Sequence, residues 1–336
     1  TDTTSADTTS ADTTSTDSTS ADGVVPDAVP RDVTQPDLSR PDASMPDTGH
    51  PDASLPDATA PRCDLFASSW SFGAPTLVAN INSASVEHDP WLSRDGLTLY
   101  FASDRAGGEG GFDIYRAHRD NRAAEFENPV LVPELNSSAV DTKVVFSADR
   151  RNAFLASHRS GGQGGSDLWA VRLEADGGVS SIVNLSAINT SAHDFDPHLS
   201  EDKLRLYSST HGVVDGGLGL QEIVLSTRAS ADSEFLSSTP IAALNSTDND
   251  GDPALSPDEL VVVFTSQRGG NRDLYIAHRT SVGSDFSEPL PLDVLNTASL
   301  ETDPTLSADG CEIFFTSDRA GGLGELDLWV SSYLRP

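Results

Sequence analysis

One short pattern returns five times along this chain: an apolar residue, an asparagine and a small hydroxylated residue. It stands at Ile81-Asn82-Ser83, Leu135-Asn136-Ser137, Ile188-Asn189-Thr190, Leu244-Asn245-Ser246 and Leu295-Asn296-Thr297. Each asparagine is followed eleven residues later by a serine (Ser93, Ser147, Ser200, Ser256, Ser307), and successive serines lie 54, 53, 56 and 51 residues apart. A period near fifty residues with strand-like content points to the blades of a β-propeller and away from helical repeats.

Within a repeat, short apolar runs alternate with turn chemistry. The first copy carries Pro90-Trp91-Leu92, an Asp95-Gly96 turn, the run Leu97 to Ala102, a glycine-rich loop from Gly107 to Gly111, then Asp113-Ile114-Tyr115 and Pro129 to Val132. Asp-Gly favours a tight turn because glycine accepts positive φ. The Leu97–Ala102 run is apolar on both alternating faces, as a strand between neighbouring sheets requires. Four strands per repeat are expected.

Three further motifs recur. Asp89-Pro90, Ser103-Asp104-Arg105-Ala106-Gly107-Gly108 and Asp113-Ile114-Tyr115 return as Asp303-Pro304, Ser317-Asp318-Arg319-Ala320-Gly321-Gly322 and Asp327-Leu328-Trp329. The middle copies hold Ser157-His158-Arg159-Ser160-Gly161-Gly162 with Asp167-Leu168-Trp169, and Ser266-Gln267-Arg268-Gly269-Gly270 with Asp273-Leu274-Tyr275. The third copy departs most, with Ser209-Thr210-His211 and Glu222-Ile223-Val224. These residues resemble the TolB-like, WD-related propeller repeat, over essentially all of residues 72–336. The resemblance implies protein partners in the periplasm or at the outer membrane. TolB has six blades, so five copies are a departure from that family.

The last copy ends at Tyr333-Leu334 without a fourth strand, whereas a fourth-strand sequence, Pro75 to Ala79, stands ahead of the first. The expected architecture is therefore an all-β, five-bladed propeller of four-stranded antiparallel blades, closed by an N-terminal strand in the last blade, which removes exposed edges. The blades fall at about 83–135, 136–188, 189–244, 245–295, and 296–334 plus 72–81. Closure brings Cys63 near the blade that holds Cys311, and a Cys63–Cys311 disulfide is expected, consistent with an exported protein; two free thiols are the alternative.

In a propeller the first strand of each blade lines the channel. Just before it this chain places acids two residues apart: Glu87 and Asp89, Asp194 and Asp196, Asp250 and Asp252, Glu301 and Asp303. The second copy keeps Asp141 and has Lys143 at the other position. These ten residues are the candidate site, nine carboxylates and one ammonium at one mouth of the channel. Like charges this close raise some pKa values unless compensated. The acids could serve the blades, through backbone N–H groups and the repeat arginines Arg105, Arg159, Arg268 and Arg319. They could hold Ca²⁺, which takes 6–8 oxygen ligands; Asp248, Asp250 and Asp252 alternate as in a calcium loop but lack its downstream glutamate. Or they could receive a cationic protein or peptide. No catalytic residue and no cofactor is assigned: nucleophile-elbow, zinc-protease and phosphate-loop motifs are absent from the sequence. Paired acids keep a carbohydrate-active or carbohydrate-binding propeller as an alternative, and a calcium-stabilised structural module as another. The eight histidines read as scattered, with His118 and His278 at equivalent repeat positions. The third-strand aromatics Tyr115, Trp169, Tyr275 and Trp329 are expected in the cores between blades.

The segment 1–62 is of a different kind. Aspartate recurs at every fifth position from Asp2 to Asp57, among Thr, Ser and Ala and then in Pro-Asp pairs. With few large apolar residues, ordering it would cost roughly 1–2 kcal/mol per residue against little burial, so a disordered spacer is expected, with the propeller over 63–336. Spacers of this composition resemble the tethers behind the signal sequence of bacterial surface lipoproteins. Because the first residue is Thr, a removed segment with a possible lipid anchor is expected upstream, and with it export to the periplasm or the outer-membrane or cell surface. The 52 acids against 21 bases, a net charge of −31, disfavour nucleic acid and anionic lipid as partners. No apolar run is long enough to span a bilayer. The reading is a monomeric, non-enzymatic binding or scaffolding propeller of the cell envelope with a protein or peptide partner.

Overall fold

The computed structural model describes residues 63–66, 71–218 and 220–334; the spacer expected over 1–62 lies outside the described residues. Two short strands, β1 (Ser71–Phe72) and β2 (Thr76–Leu77), precede the first repeat. Blade one is β3 (Glu87–Leu92), β4 (Thr98–Ser103), β5 (Asp113–His118) and β6 (Val130–Leu131). Blade two is β7 (Asp141–Phe146), β8 (Asn152–Ser157), β9 (Asp167–Leu173) and β10 (Val179–Asn184). Blade three is β11 (Asp194–Leu199), β12 (Arg205–Thr210), β13 (Glu222–Thr227) and β14 (Ser238–Pro240). Blade four is β15 (Asp250–Leu255), β16 (Val261–Ser266), β17 (Asp273–His278) and β18 (Leu290–Pro291). Blade five is β19 (Glu301–Leu306), β20 (Glu312–Ser317) and β21 (Asp327–Leu334). All pairings are antiparallel, and they follow chain order within blades one to four.

The ring closes at blade five. β2 supplies its fourth strand, with Thr76 opposite Val330 and Leu77 opposite Trp329, and β1 pairs further along the same long strand, Ser71 with Leu334 and Phe72 with Tyr333. A closed ring hides the edges on which open sheets aggregate. Cys63 is disulfide-bonded to Cys311 across 248 residues of chain, and its N–H donates to Asp309 O.

Each repeated residue has a local task. The asparagine ahead of a blade clips the third strand of the blade before it: Asn136 accepts from Ile114 N at 2.7 Å and donates to Ile114 O at 3.0 Å. Asn189, Asn245, Asn296 and Asn82 do the same to Leu168, Ile223, Leu274 and Leu328. The serine eleven residues on shapes the turn after the inner strand; Ser93 Oγ donates to Asp95 at 2.6 Å and accepts from Thr98 N. The glycine-rich loop exists because a carboxylate sits against it. A Cβ on Gly162 would lie 1.8 Å from Asp167 Oδ2, which accepts the amides of Gln163 and Gly164.

Apolar side chains of facing sheets fill the gaps between blades. Between blades five and one, Ile81, Phe314 and Leu328 pack on Leu99, Phe101 and Tyr115; between blades four and five, Val263, Leu274 and Ile276 pack on Ile313, Phe315 and Trp329. The third-strand aromatics Tyr115, Trp169, Tyr275 and Trp329 are buried there. The repeat arginines lie over these rings, Arg105 at 5.1 Å from Tyr115 and Arg319 at 5.3 Å from Trp329.

Candidate functional site

The ten candidate residues divide into two sets. The first acid of each inner strand, Glu87, Asp141, Asp194, Asp250 or Glu301, is buried and turned into its own blade. Asp141 accepts from Ser137 N at 2.6 Å, Ser137 Oγ at 2.7 Å, Ser157 Oγ at 2.5 Å and Arg159 Nη2 at 2.6 Å. Glu87 is held in the same way by Ser83, Ser103 and Arg105, and Glu301 by Thr297, Ser317 and Arg319. Asp250 is held by Ser246 and Arg268. Each arginine also donates to the carbonyl before the repeat asparagine, as Arg159 does to Leu135 O at 2.7 Å. Asp194 has only hydroxyl and amide partners, from Thr190 and Thr210, because blade three lacks the arginine; burial raises its pKa.

The second set faces the axis. Asp89, Asp196, Asp252 and Asp303 take left-handed φ values of 56°, 51°, 56° and 51°. Each sits with its proline in a two-residue bulge of the inner strand; in blade one the pairing skips from His88–Ala102 to Trp91–Tyr100. A bulge re-aims a side chain that regular alternation would leave on the same face as the acid two residues before. In blade two Val144 replaces the proline, and Lys143 alone forms the bulge. Three of these aspartates are linked round the axis: Asp303 Oδ2 accepts from Asp89 N at 3.5 Å, Asp89 Oδ2 from Lys143 N at 3.3 Å, and Asp252 Oδ2 from Asp303 N at 3.4 Å. Lys143 Nζ donates to Pro90 O at 2.9 Å.

Burial and mutual repulsion spread the protonation of these acids. Burial lifts Asp196 well above the usual carboxylate range, with Asp252 adding to the shift, and burial beside Asp89 and Asp252 pushes Asp303 up to about 7. At Asp252 burial is outweighed by the neighbouring Asp196 carboxyl, the charge of Arg272 and the Thr265 and Thr302 hydroxyls, which hold it down to about 2. Burial also acts against charge on His88 and Asp89, but their ion pair at 3.1 Å raises the histidine and lowers the aspartate.

Asp89, Asp196, Asp252 and Asp303 lie in a cavity of about 350 Å³ whose wall includes His158, His193, His211, Phe195, Ser166 and Arg272. The histidines form a row with ring centroids 5.8 and 6.0 Å apart, and His193 Nδ1 accepts the Ser166 N–H at 3.1 Å. Burial and the neighbouring His193 lower the pKa of His158, and burial lowers that of His211. Sequence reading missed this row. Its signal was that His158 and His211 directly follow the second strand in successive blades. The pair it did notice is not a site: His118 lies near Thr98 in blade one, and His278 meets Ser287 and Phe66 in blade four.

The loop Asp248-Asn249-Asp250-Gly251-Asp252 does not gather its carboxylates. Asp248 is exposed, Asp250 is bound to Arg268, and the left-handed backbone at Asp252 sends that side chain to the axis. Instead, oxygens of Asp196, Asp252 and Asp303, from three different blades, lie within 4.8 Å of one another.

No family model matches the chain, and no curated protein matches it. Solved structures share its fold. The catalytic domain of the GH62 α-L-arabinofuranosidase of Coprinopsis cinerea is similar at 12% identity and a TM-score of 0.50, over 79% of this chain and 96% of that one. An α-L-arabinofuranosidase from Podospora anserina is similar at 10% identity and a TM-score of 0.50, over 80% of this chain and 97% of that one. The putative TolB from Agrobacterium tumefaciens is similar at 16% identity and a TM-score of 0.46, over 75% of this chain and 91% of that one. At these identities the likeness is one of fold.

Proposed function

We propose that this chain is a non-enzymatic binding propeller of the cell envelope that receives a positively charged group of a protein or peptide in the cavity over Asp89, Asp196, Asp252 and Asp303. The observation that carries this reading is the division between the two sets of acids. In four blades the first acid is paired with an arginine of its own blade. The second set is buried, set in left-handed backbone and turned to the axis, where its members accept from amides and a hydroxyl of neighbouring blades rather than from a repeat arginine. Left-handed aspartates cost of order 1 kcal/mol or more each and persist where a site uses them. Export is supported by the Cys63–Cys311 bond, which oxidising compartments sustain.

One observation favours a carbohydrate-active alternative. Asp196 and Asp252 lie side by side with pKa values pushed apart, as acid and base pairs require. Glycosidase carboxyls, however, stand about 5–9.5 Å apart to admit the sugar, whereas Asp196, Asp252 and Asp303 each bring an oxygen within 4.8 Å of the others.

Calorimetric titration with short peptides bearing Lys or Arg, against neutral and acidic peptides of equal length, tests the proposal. Heats are expected for the basic peptides alone, weakening with salt and lost in Asp252→Asn. Absence of binding by the basic peptides, together with hydrolysis of an aryl arabinofuranoside, would reverse the assignment.

A further inference from the structure

We infer that the axis of the propeller binds a hard divalent cation of the calcium class between Asp196, Asp252 and Asp303. The inference rests on the same carboxylates as the reading above and names a second ligand for them. The three residues come from the inner strands of blades three, four and five and are 5%, 5% and 8% exposed. Their oxygens lie within 4.8 Å of one another, which is the span across an ion with metal–oxygen distances of about 2.4 Å. Carboxylate oxygens are the donors such ions prefer, and the adjoining cavity admits water to complete the shell.

A separate observation points to a ligand. Asp196 Oδ2 is a buried carboxylate oxygen with no hydrogen-bonding partner, and native interiors rarely leave such an atom orphaned unless an ion or water meets it. The cationic side chains at hand spend hydrogen bonds elsewhere, Lys143 Nζ on Pro90 O and Arg272 Nη2 on Gln221 Oε1. Blade two also shows why the trio sits on one side of the axis. Lys143 stands where a further aspartate would complete the ring, so the acidic cluster is weighted toward blades three to five.

The test is calorimetry and thermal unfolding of the full chain, stripped with chelator and titrated with Ca²⁺. A single class of site and a raised melting temperature are expected, because an ion that binds only the folded state stabilises it by mass action. Asp196→Asn should weaken Ca²⁺ on the order of tenfold or more, as removing a charged ligand does, and Asp248→Asn, on the exposed loop, should leave it unchanged. Asp303→Asn serves as a second variant, with circular dichroism to confirm that each folds. No heat and no thermal shift with the native chain, or Ca²⁺ affinity in Asp196→Asn and Asp303→Asn equal to that of the native chain, overturns the inference. Peptide binding is measured separately on the stripped chain, so failure of the cation site and failure of the binding reading are told apart. If both hold, Ca²⁺ competes with the basic peptides.

Discussion

At the residue scale, the same residue type two positions apart does opposite work. Asp141 is a fold residue: its carboxylate is buried and met by Arg159 at 2.6 Å. Removing one partner of a buried pair costs about 3–5 kcal/mol, because the other charge is left without compensation. Arg159→Met should therefore destabilise by about 3 kcal/mol in urea unfolding, and adding Asp141→Asn to it should recover part of the loss. A double variant no better than the single one would show that the pair is not coupled. A second network sits at the far end of the inner strands, where Glu259 meets Arg205 at 2.7 Å and Tyr207 Oη at 2.7 Å. Burial works against the Glu259 charge, yet Arg205 and Tyr207 outweigh it and hold its pKa below the ordinary value. A depressed pKa contributes stability that is present above the unfolded carboxylate value of about 4.3 and is lost as pH falls through the folded one. The acid limb of the stability profile should accordingly flatten in Glu259→Gln; a limb of unchanged slope contradicts that role.

Strands and turns were legible where the sequence repeats a physical device. Asp-Gly and Ser-x-Asp turns, the doubly apolar second strand and the asparagine clip all leave residue-level marks, and the missing fourth strand marks where the ring closes. The bulge left none. Acids at i and i+2 share a face in a regular strand, so Asp250 and Asp252 read as neighbours; only the positive φ at Asp252 separates them. The histidine row was hidden for a related reason, since His158 and His193 come from different blades and meet only when the ring is built. Closure itself makes a prediction at this scale. Cys63→Ser should cost about 2–4 kcal/mol, since the native bond restrains a very long loop in the unfolded chain. Thiol titration of the denatured native protein should find no free cysteine without reductant. Two titratable thiols would mean that the bond does not form.

For the whole molecule, the two ends of the channel differ. The inner strands start at the acidic cavity and finish at turns such as Asp309-Gly310-Cys311, where Cys63 is fastened. Across that far mouth Arg94 of blade one pairs with Glu201 of blade three. Cys63 is thus fastened at the end of the propeller opposite the proposed binding cavity. The measurement that bears most directly on the account compares the urea stabilities of Asp250→Asn and Asp196→Asn without ligand. Asp250→Asn should lose about 2–4 kcal/mol, because Arg268 is left with a half-buried, uncompensated charge. Asp196→Asn should be neutral or more stable than the native chain, since asparagine tolerates the left-handed backbone and relieves the crowding of axial acids. Equal destabilisation by the two changes would contradict the claim that one set of acids builds the blades and the other awaits a cationic ligand.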